Sequence, residues 1–313
     1  MTKSVVATAF GGPEVLEVVD EELPAPGPGE VLVEFKAIGV NPVEYKQAAG
    51  AFGADPSALP LRLGSEGAGI VVAAGPDAVG PDGPLAVGDE VVVYRGSGTY
   101  AERALEPAGS VLRKPAGLGW EQAGGLLLTG ATAYDTVETV GVTKDDVVLI
   151  HGASGGVGLL AVQLARLRGA TVIGTARETN HEFLRSIGAI PVAYGDGLAD
   201  RVRELAPGGV TAAIDTVGTD EAVDVSLQLV GDRARIATIA AFERAGTDGF
   251  TALGGGNPDS AALRDRVRGE LLDLAARGEL TNPIAKTFGL SEAARAHTEL
   301  KQPHPVGKFI LIP

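Results

Sequence analysis

The chain has 313 residues, 45% of them apolar and 21% charged, with 26 Lys and Arg against 40 Asp and Glu, a net charge of −14. That length supports two apolar cores, and the acidic balance without a local basic patch argues against nucleic acid or an anionic membrane as partner. The lack of any cysteine removes disulfides, thiolate catalysis and every cysteine-bound zinc site. No uncharged apolar run is long enough to span a bilayer, and the N-terminal MTKSVVATAF has no signal-peptide pattern, so a cytoplasmic protein is expected.

Residues 1–115 are rich in Gly, Pro and short Val-rich segments, at 31–35, 69–73 and 90–93, separated by turn signals such as Pro26-Gly27-Pro28-Gly29. This pattern predicts a barrel-like all-β unit. After Trp120 apolar runs alternate with amphipathic stretches. Strands are expected at 147–150, 171–174, 190–194, 212–215 and 235–239. Helices are expected at 157–168, after a capping box at Thr179-Asn-His-Glu182, at 198–206 and at 221–229. Alternation of this kind predicts a parallel, doubly wound sheet. Helices over 260–277 and 291–300 and a last strand near Lys308 follow. The final segment is expected to return to the N-terminal domain, giving one domain from residues 1–122 with 256–313 and another from 123–255.

The segment from Val147 to Gly158 carries the most information. Gly152, Gly155 and Gly158, with an extra Gly156, form G-x-x-G-x-x-G between a strand and an amphipathic helix. There glycines permit a tight turn, close approach of a pyrophosphate and close helix–strand packing. The helix N-terminus adds unpaired N–H groups and partial positive charge. A rival reading uses the same residues: Gly152-Ala-Ser154-Gly-Gly156 fits the G-x-S-x-G nucleophile elbow, with Asp215 and then His297 or His304 in triad order. No HGGG-like segment precedes it, and Gly158 has no role in an elbow. A non-enzymatic NADPH-binding protein is a third reading.

An NAD site usually places Asp or Glu at the end of the second strand, to meet the ribose 2′-hydroxyl. Here the strand ends Gly174-Thr-Ala-Arg177, and a guanidinium suits a 2′-phosphate. NADP(H) is therefore the expected cofactor.

With these residues in view, the chain resembles the zinc-free quinone oxidoreductase (zeta-crystallin-like) branch of the medium-chain dehydrogenase/reductase superfamily. The resemblance runs through Ala37-Ile-Gly-Val-Asn-Pro42, Leu63-Gly-Ser-Glu-Gly-Ala-Gly69, Val87-Gly-Asp-Glu-Val91, Gly98-Thr-Tyr-Ala-Glu102, Leu128-Thr-Gly-Ala-Thr-Ala-Tyr134, the glycine loop and Gly307-Lys308. It implies an α/β fold, with a GroES-like β-barrel domain from both chain ends and a Rossmann domain between them. It implies Asn41 near the nicotinamide and Thr129 beside the nicotinamide or its ribose. Ser154, Gly155, Gly156 and Val157 would hold the pyrophosphate. Thr175, Ala176, Arg177 and Tyr194 would surround the adenosine phosphate, and Val217 and Ile239 would line the cofactor channel. A homodimer joined through the sheet edge near Phe250–Leu253 is also implied.

Zinc-dependent relatives carry Cys and His where this chain has Asn41 and Ser65. Glu66 remains, and one carboxylate does not make a zinc site. Without a Lewis acid, reduction of an ordinary ketone has a high barrier. Quinones and α,β-unsaturated carbonyls spread the incoming charge through a π-system, and so become the expected substrates. The proton donor is left open between Tyr45, Lys46 and bulk solvent. Of the histidines, His181 could assist phosphate binding and His304 could approach the cleft. His151 reads as packing and His297 as a helix-face residue. Asp215 reads as a local acceptor for backbone N–H groups.

Overall fold

The computed structural model describes residues 1–254 and 256–313; Gly255, within the Gly254–Gly256 run, lies outside the described residues. The chain packs as two compact units, Met1–Leu128 with Leu272–Pro313, and Thr129–Leu271.

The first unit is built around the strand Glu30–Val40. Its first half alternates, with Val31, Val33 and Phe35 buried and Leu32, Glu34 and Lys36 half-buried, while Ala37 to Val40 are buried in succession. Period two marks a strand with one covered face, and the continuous run marks a strand covered on both. This strand pairs antiparallel with Glu66–Ala74, with Arg103–Pro107 and with the C-terminal strand Lys308–Ile312. Lys308–Ile312 in turn runs parallel to Ile284–Gly289, so both chain ends contribute to one seven-stranded sheet. Gly69 is required by the pairing, since a Cβ there would stand 2.2 Å from the Glu34 carbonyl oxygen. The core behind this sheet includes Val33, Phe35, Val71, Val93, Phe288 and Phe309.

The second unit contains the expected doubly wound parallel sheet. Its order is Ile190–Val192, Thr171–Thr175, Val147–His151, Ala212–Asp215, Ile236–Thr238, Thr251–Ala252, and every pair is parallel. The strands are short and apolar because both faces are covered; Val148, Leu149 and Ile150 are fully buried. The helix Gly156–Leu167 follows the glycine loop and buries Gly158 through Ala165. Strand order reverses beside Val147–His151, so the loop stands at the topological switch point.

Three expectations need correction. The single helix over 260–277 is two, Pro258–Arg266 and Arg268–Ala276. The break has a local cause, because the Arg268 guanidinium Nε donates to the Asp265 carbonyl (2.8 Å) and competes with the helical ladder there. Residues 256–271, grouped from sequence with the chain ends, fall in the second unit. There Arg264 donates to the buried Asp135 carboxylate (2.8 Å) and ties its helix to Leu127–Thr139. The capping box at Thr179 does not form. Residues Glu178–Asn180 make a 3₁₀ turn, the next helix starts at His181, and its N-cap Asn180 places no side-chain bond on it.

The first unit also buries an unusual carboxyl. Glu106 is fully buried. Ser97 N donates to its Oε2 (3.3 Å), while Oε1 has no hydrogen-bond partner among the described residues. Burial pushes this carboxyl up to about 7. A raised folded-state pKa means that the folded chain keeps a proton that the unfolded chain releases. The associated stability is complete below the unfolded value near 4.5 and is lost as pH rises through about 7, by an amount on the order of 3 kcal/mol. Glu106→Gln is expected to resist urea better than wild type at about pH 8.5 and to match it at about pH 4.5; a stability difference independent of pH would contradict this assignment.

Candidate functional site

The second unit gathers the sequence-read binding residues at the carboxyl ends of its strands. Gly152 follows His151 with φ +72°, and a Cβ there would stand 2.5 Å from the Val217 side chain. Gly158 meets the loop from the other side, where a Cβ would stand 2.3 Å from the Gly152 carbonyl oxygen. The first turn of the helix therefore presses directly against the strand end. Gly155 is its N-cap and offers no side-chain cap. The first-turn amides are left to an external acceptor, and the helix dipole favours an anion. Thr129 lies alongside, its Cγ2 3.2 Å from where a Cβ on Gly156 would be.

Neighbouring side chains brace this loop. Ser154 Oγ accepts from Asn180 Nδ2 (3.1 Å). Thr175 Oγ1 accepts from Gly152 N (3.1 Å), and the Thr175 carbonyl accepts from Ala153 N (3.0 Å). Ala176 N donates to the Val192 carbonyl (3.0 Å). Arg177 is exposed, and its Nε donates to the Tyr194 hydroxyl (3.0 Å). That bond uses Nε and not the two terminal guanidinium nitrogens. Val217 follows the strand Ala212–Asp215 and is 48% exposed, an unusual setting for valine beside a glycine loop. Ile239 is half-buried, and its N–H donates to the Asp215 carbonyl (3.1 Å).

The hydrolase constellation is not assembled. The partner of Ser154 is Asn180. Asp215 Oδ1 accepts from the N–H groups of Val217 and Gly218 (2.9 Å each), and its Oδ2 accepts from Thr238 Oγ1 (2.7 Å). His297 shares a hydrogen bond with the Tyr100 hydroxyl (3.0 Å), and His304 is exposed beside Phe309. His151 is buried at the strand end, and burial holds its imidazole well below the usual range. His181 contacts the Ala176 carbonyl (3.2 Å).

The first unit holds a separate buried polar cluster. Asn41 begins the helix Pro42–Ala48 and is fully buried. Its backbone N–H donates to Glu44 Oε2 (2.7 Å), and its Nδ2 donates to Glu66 Oε1 (3.0 Å). Lys308 Nζ donates to Asn41 Oδ1 and pairs with Glu66 Oε1 (2.8 Å). Glu66 Oε2 accepts from Leu128 N (2.9 Å). The Asn41 amide is thus engaged on both ends within its own unit. Burial pushes Glu44 up to about 7, although the Lys308 charge and a hydrogen bond from Ser65 oppose the shift. Tyr45 stands under Lys301 (4.8 Å to the ring centre) and edge-on to His297, and burial raises its hydroxyl pKa. Lys46 is exposed.

Sequence reasoning missed Asn180, Glu44 and Lys308 as participants. For Glu44 a signal existed, since Asn41-Pro42-Val43-Glu44 has N-cap spacing with Pro at the first helical position. Asn180 and Lys308 gave none, because their partners lie 26 and 267 residues away.

The donors around Glu66 do not fit zinc. Asn41 and Ser65 offer an amide and a hydroxyl, and both Glu66 oxygens already carry Lys308, Asn41 or Leu128. Among the described residues no three His, Asp or Glu side chains are grouped as a metal site requires. The glycine loop, by contrast, fits a dinucleotide, with an uncapped helix start at Gly156 and with Gly152 and Gly158 packed so closely that a side chain would strike Val217 or backbone.

Comparison with known proteins agrees with this geometry. Residues 27–126 match the alcohol dehydrogenase GroES-like domain model, and residues 156–253 match the model described as zinc-binding dehydrogenase. The chain is 34% identical to a quinone oxidoreductase of Pseudomonas aeruginosa over the full length of both. It is 31% identical to a 2-haloacrylate reductase of Burkholderia sp, covering 100% of this chain and 99% of that one. The crystal structure of Escherichia coli quinone oxidoreductase complexed with NADPH superposes with a TM-score of 0.87 at 28% identity, covering 99% of this chain and 100% of the other. The chain therefore belongs to the medium-chain dehydrogenase/reductase superfamily, in its quinone oxidoreductase branch, with a GroES-like domain and a Rossmann domain.

Proposed function

We propose that this oxidoreductase is an NADPH-dependent, zinc-independent reductase whose substrate is a quinone or an α,β-unsaturated carbonyl. One observation carries the reading: an uncapped helix N-terminus packed against a strand end through Gly158, with a tethered arginine at the end of the next strand. In this reading the amides of Gly156 and Val157 and the Ser154 hydroxyl hold the diphosphate, while the Gly155 N–H donates to the Gly152 carbonyl (2.9 Å) and fixes the loop. Asn180 orients Ser154 for that bond. Arg177, held by Tyr194, meets the 2′-phosphate through its two terminal nitrogens. Thr175 and Ala176 shape the adenosine side, while Thr129, Val217 and Ile239 border the nicotinamide half. Asn41, sealed from solvent, acts by fixing the wall it belongs to. When bound, reduced nicotinamide supplies a hydride.

The substrate class follows from the donor set. The residues around Glu66 offer no place for a Lewis acid, so the acceptor must delocalise incoming charge itself. Conjugated carbonyls do so, and the names of the Pseudomonas and Burkholderia relatives point to the same chemistry. The edge strand Thr251–Ala252, half-buried, suits a homodimer, and the lack of cysteine suits the cytoplasm. No helix among the described residues is long and apolar enough to cross a membrane.

The deciding experiment monitors NADPH oxidation with a panel of quinones, alkenals and saturated ketones. Turnover of the conjugated acceptors, indifferent to chelators, is expected. Tight NADPH binding without turnover of any acceptor would instead favour a binding protein, and turnover that requires added zinc would defeat the reading. Arg177→Ala is expected to weaken NADPH by about tenfold or more while leaving NADH nearly unchanged. Fluorescence titration of both cofactors measures the difference, and equal weakening would remove the phosphate assignment.

A further inference from the structure

Behind Arg177 the second unit carries a further layer of support. Tyr194, whose hydroxyl accepts from Arg177 Nε (3.0 Å), is exposed and stands two residues beyond the strand Ile190–Val192. That strand lies at the edge of the parallel sheet, beside Thr171–Thr175. The loop after it has two glycines in the left-handed region, Gly195 (φ +100°) and Gly197 (φ +78°). A glycine-containing loop at a sheet edge gains little order from the sheet, so its backbone needs other anchors if Tyr194 is to hold one position.

Two side chains supply them. Arg201 Nη2 donates to the carbonyls of Ala193 and Gly195 (2.9 Å each), and its Nη1 donates to the Asp196 carbonyl (2.6 Å). The carbonyls on both sides of Tyr194 are therefore held by one guanidinium. A Cβ on Gly197 would stand 3.3 Å from Arg201 Nη1, so the small residue there gives the guanidinium room to close on the loop. From another element, Glu221 Oε1 accepts from Gly195 N (2.8 Å). Gly195 is gripped through its N–H and its carbonyl together. All of these residues belong to the second unit.

The position of Arg201 runs against local preference. It lies near the start of the helix Leu198–Leu205, where the helix dipole disfavours a cation. Its bonds go to loop carbonyls, and a planar fork of donors serves several of these at once where a lysine ammonium would not. Glu221, in the first turn of Asp220–Leu229, sits where a carboxylate is favoured. An exposed arginine that is ordered only when its ligand arrives loses rotamer freedom at that moment, whereas one already held does not. We propose that Arg201 and Glu221 are positioning residues for cofactor choice: they lock the loop 193–197, so that Tyr194 holds Arg177 ready for a 2′-phosphate. The proposal rests on the NADPH reading above.

NADPH and NADH are titrated by fluorescence into the full chain as wild type, Arg201→Ala, Arg201→Lys, Glu221→Ala and Glu221→Gln. Arg201→Ala and Glu221→Ala are expected to weaken NADPH about fivefold or more while NADH changes by less than about twofold. Glu221→Gln keeps an acceptor for Gly195 N and should retain the wild-type preference, whereas Arg201→Lys should behave as Arg201→Ala. In an Arg177→Ala background, Arg201→Ala should change neither affinity further, because the residue it positions is gone. In the protein without cofactor, hydrogen exchange at Gly195 N should quicken in Arg201→Ala and Glu221→Ala but not in Glu221→Gln. Alanine variants that keep the wild-type preference overturn the lock, as does equal weakening of both cofactors, which marks a general structural role, or a further loss of NADPH in the double variant. A wild type that does not distinguish NADPH from NADH removes the phosphate reading, and the lock falls with it. A preference abolished by Arg177→Ala and kept by Arg201→Ala removes the lock alone.

Discussion

The contact on which the nucleotide-binding unit depends is the approach of Gly158 to the Gly152 carbonyl, so close that a single added carbon would stand 2.3 Å from it. Bringing a helix start against a strand end concentrates first-turn amides and the positive end of the helix dipole at one point. Gly152 supplies the left-handed turn that makes this possible, and Gly174 removes a side chain that would strike Ala153. Neighbouring side chains brace the rest of the loop. Thr175 holds Gly152, and Asn180 holds Ser154. The helix start is thus held in place by backbone contacts, with the Thr175 and Ser154 hydroxyls acting as struts.

The barrel-containing unit solves a different problem, that of burying charge. Glu66, Lys308 and Asn41 form a closed triangle away from water, with Leu128 N on the remaining carboxylate oxygen. Pairing and complete hydrogen bonding are what make such burial tolerable, and removing one partner would leave an uncompensated charge. The triangle also fixes the Asn41 amide, and with it the start of the helix Pro42–Ala48. Glu44, capping that start, has no ammonium directly bonded to it among the described residues, and burial raises its carboxyl.

The same logic explains the polar residues that do no chemistry in the second unit. Asp215 reads in sequence as an acceptor for nearby N–H groups, and its oxygens are taken by Val217, Gly218 and Thr238. His151 fills the end of a covered strand as a neutral ring. Arg235 reaches the carbonyls of Val140 and Gly141 and the Asp146 carboxylate, joining a loop to the sheet.

Local pattern determined much of this protein. Alternation and apolar runs marked the strands, glycine spacing marked the loop, and the residue type at position 177 pointed to a phosphate, because each of these signals is complete within a dozen residues. The sequence misjudged the break at Val267 and the helix start after Arg177, where a side chain, Arg268 or Asn180, forms a bond that competes with or leaves the helical pattern. Only the tertiary structure could reveal that Lys308 meets Asn41 and Glu66. Those contacts depend on strands distant in the chain becoming neighbours in one sheet, and no periodicity encodes which residues will then be paired.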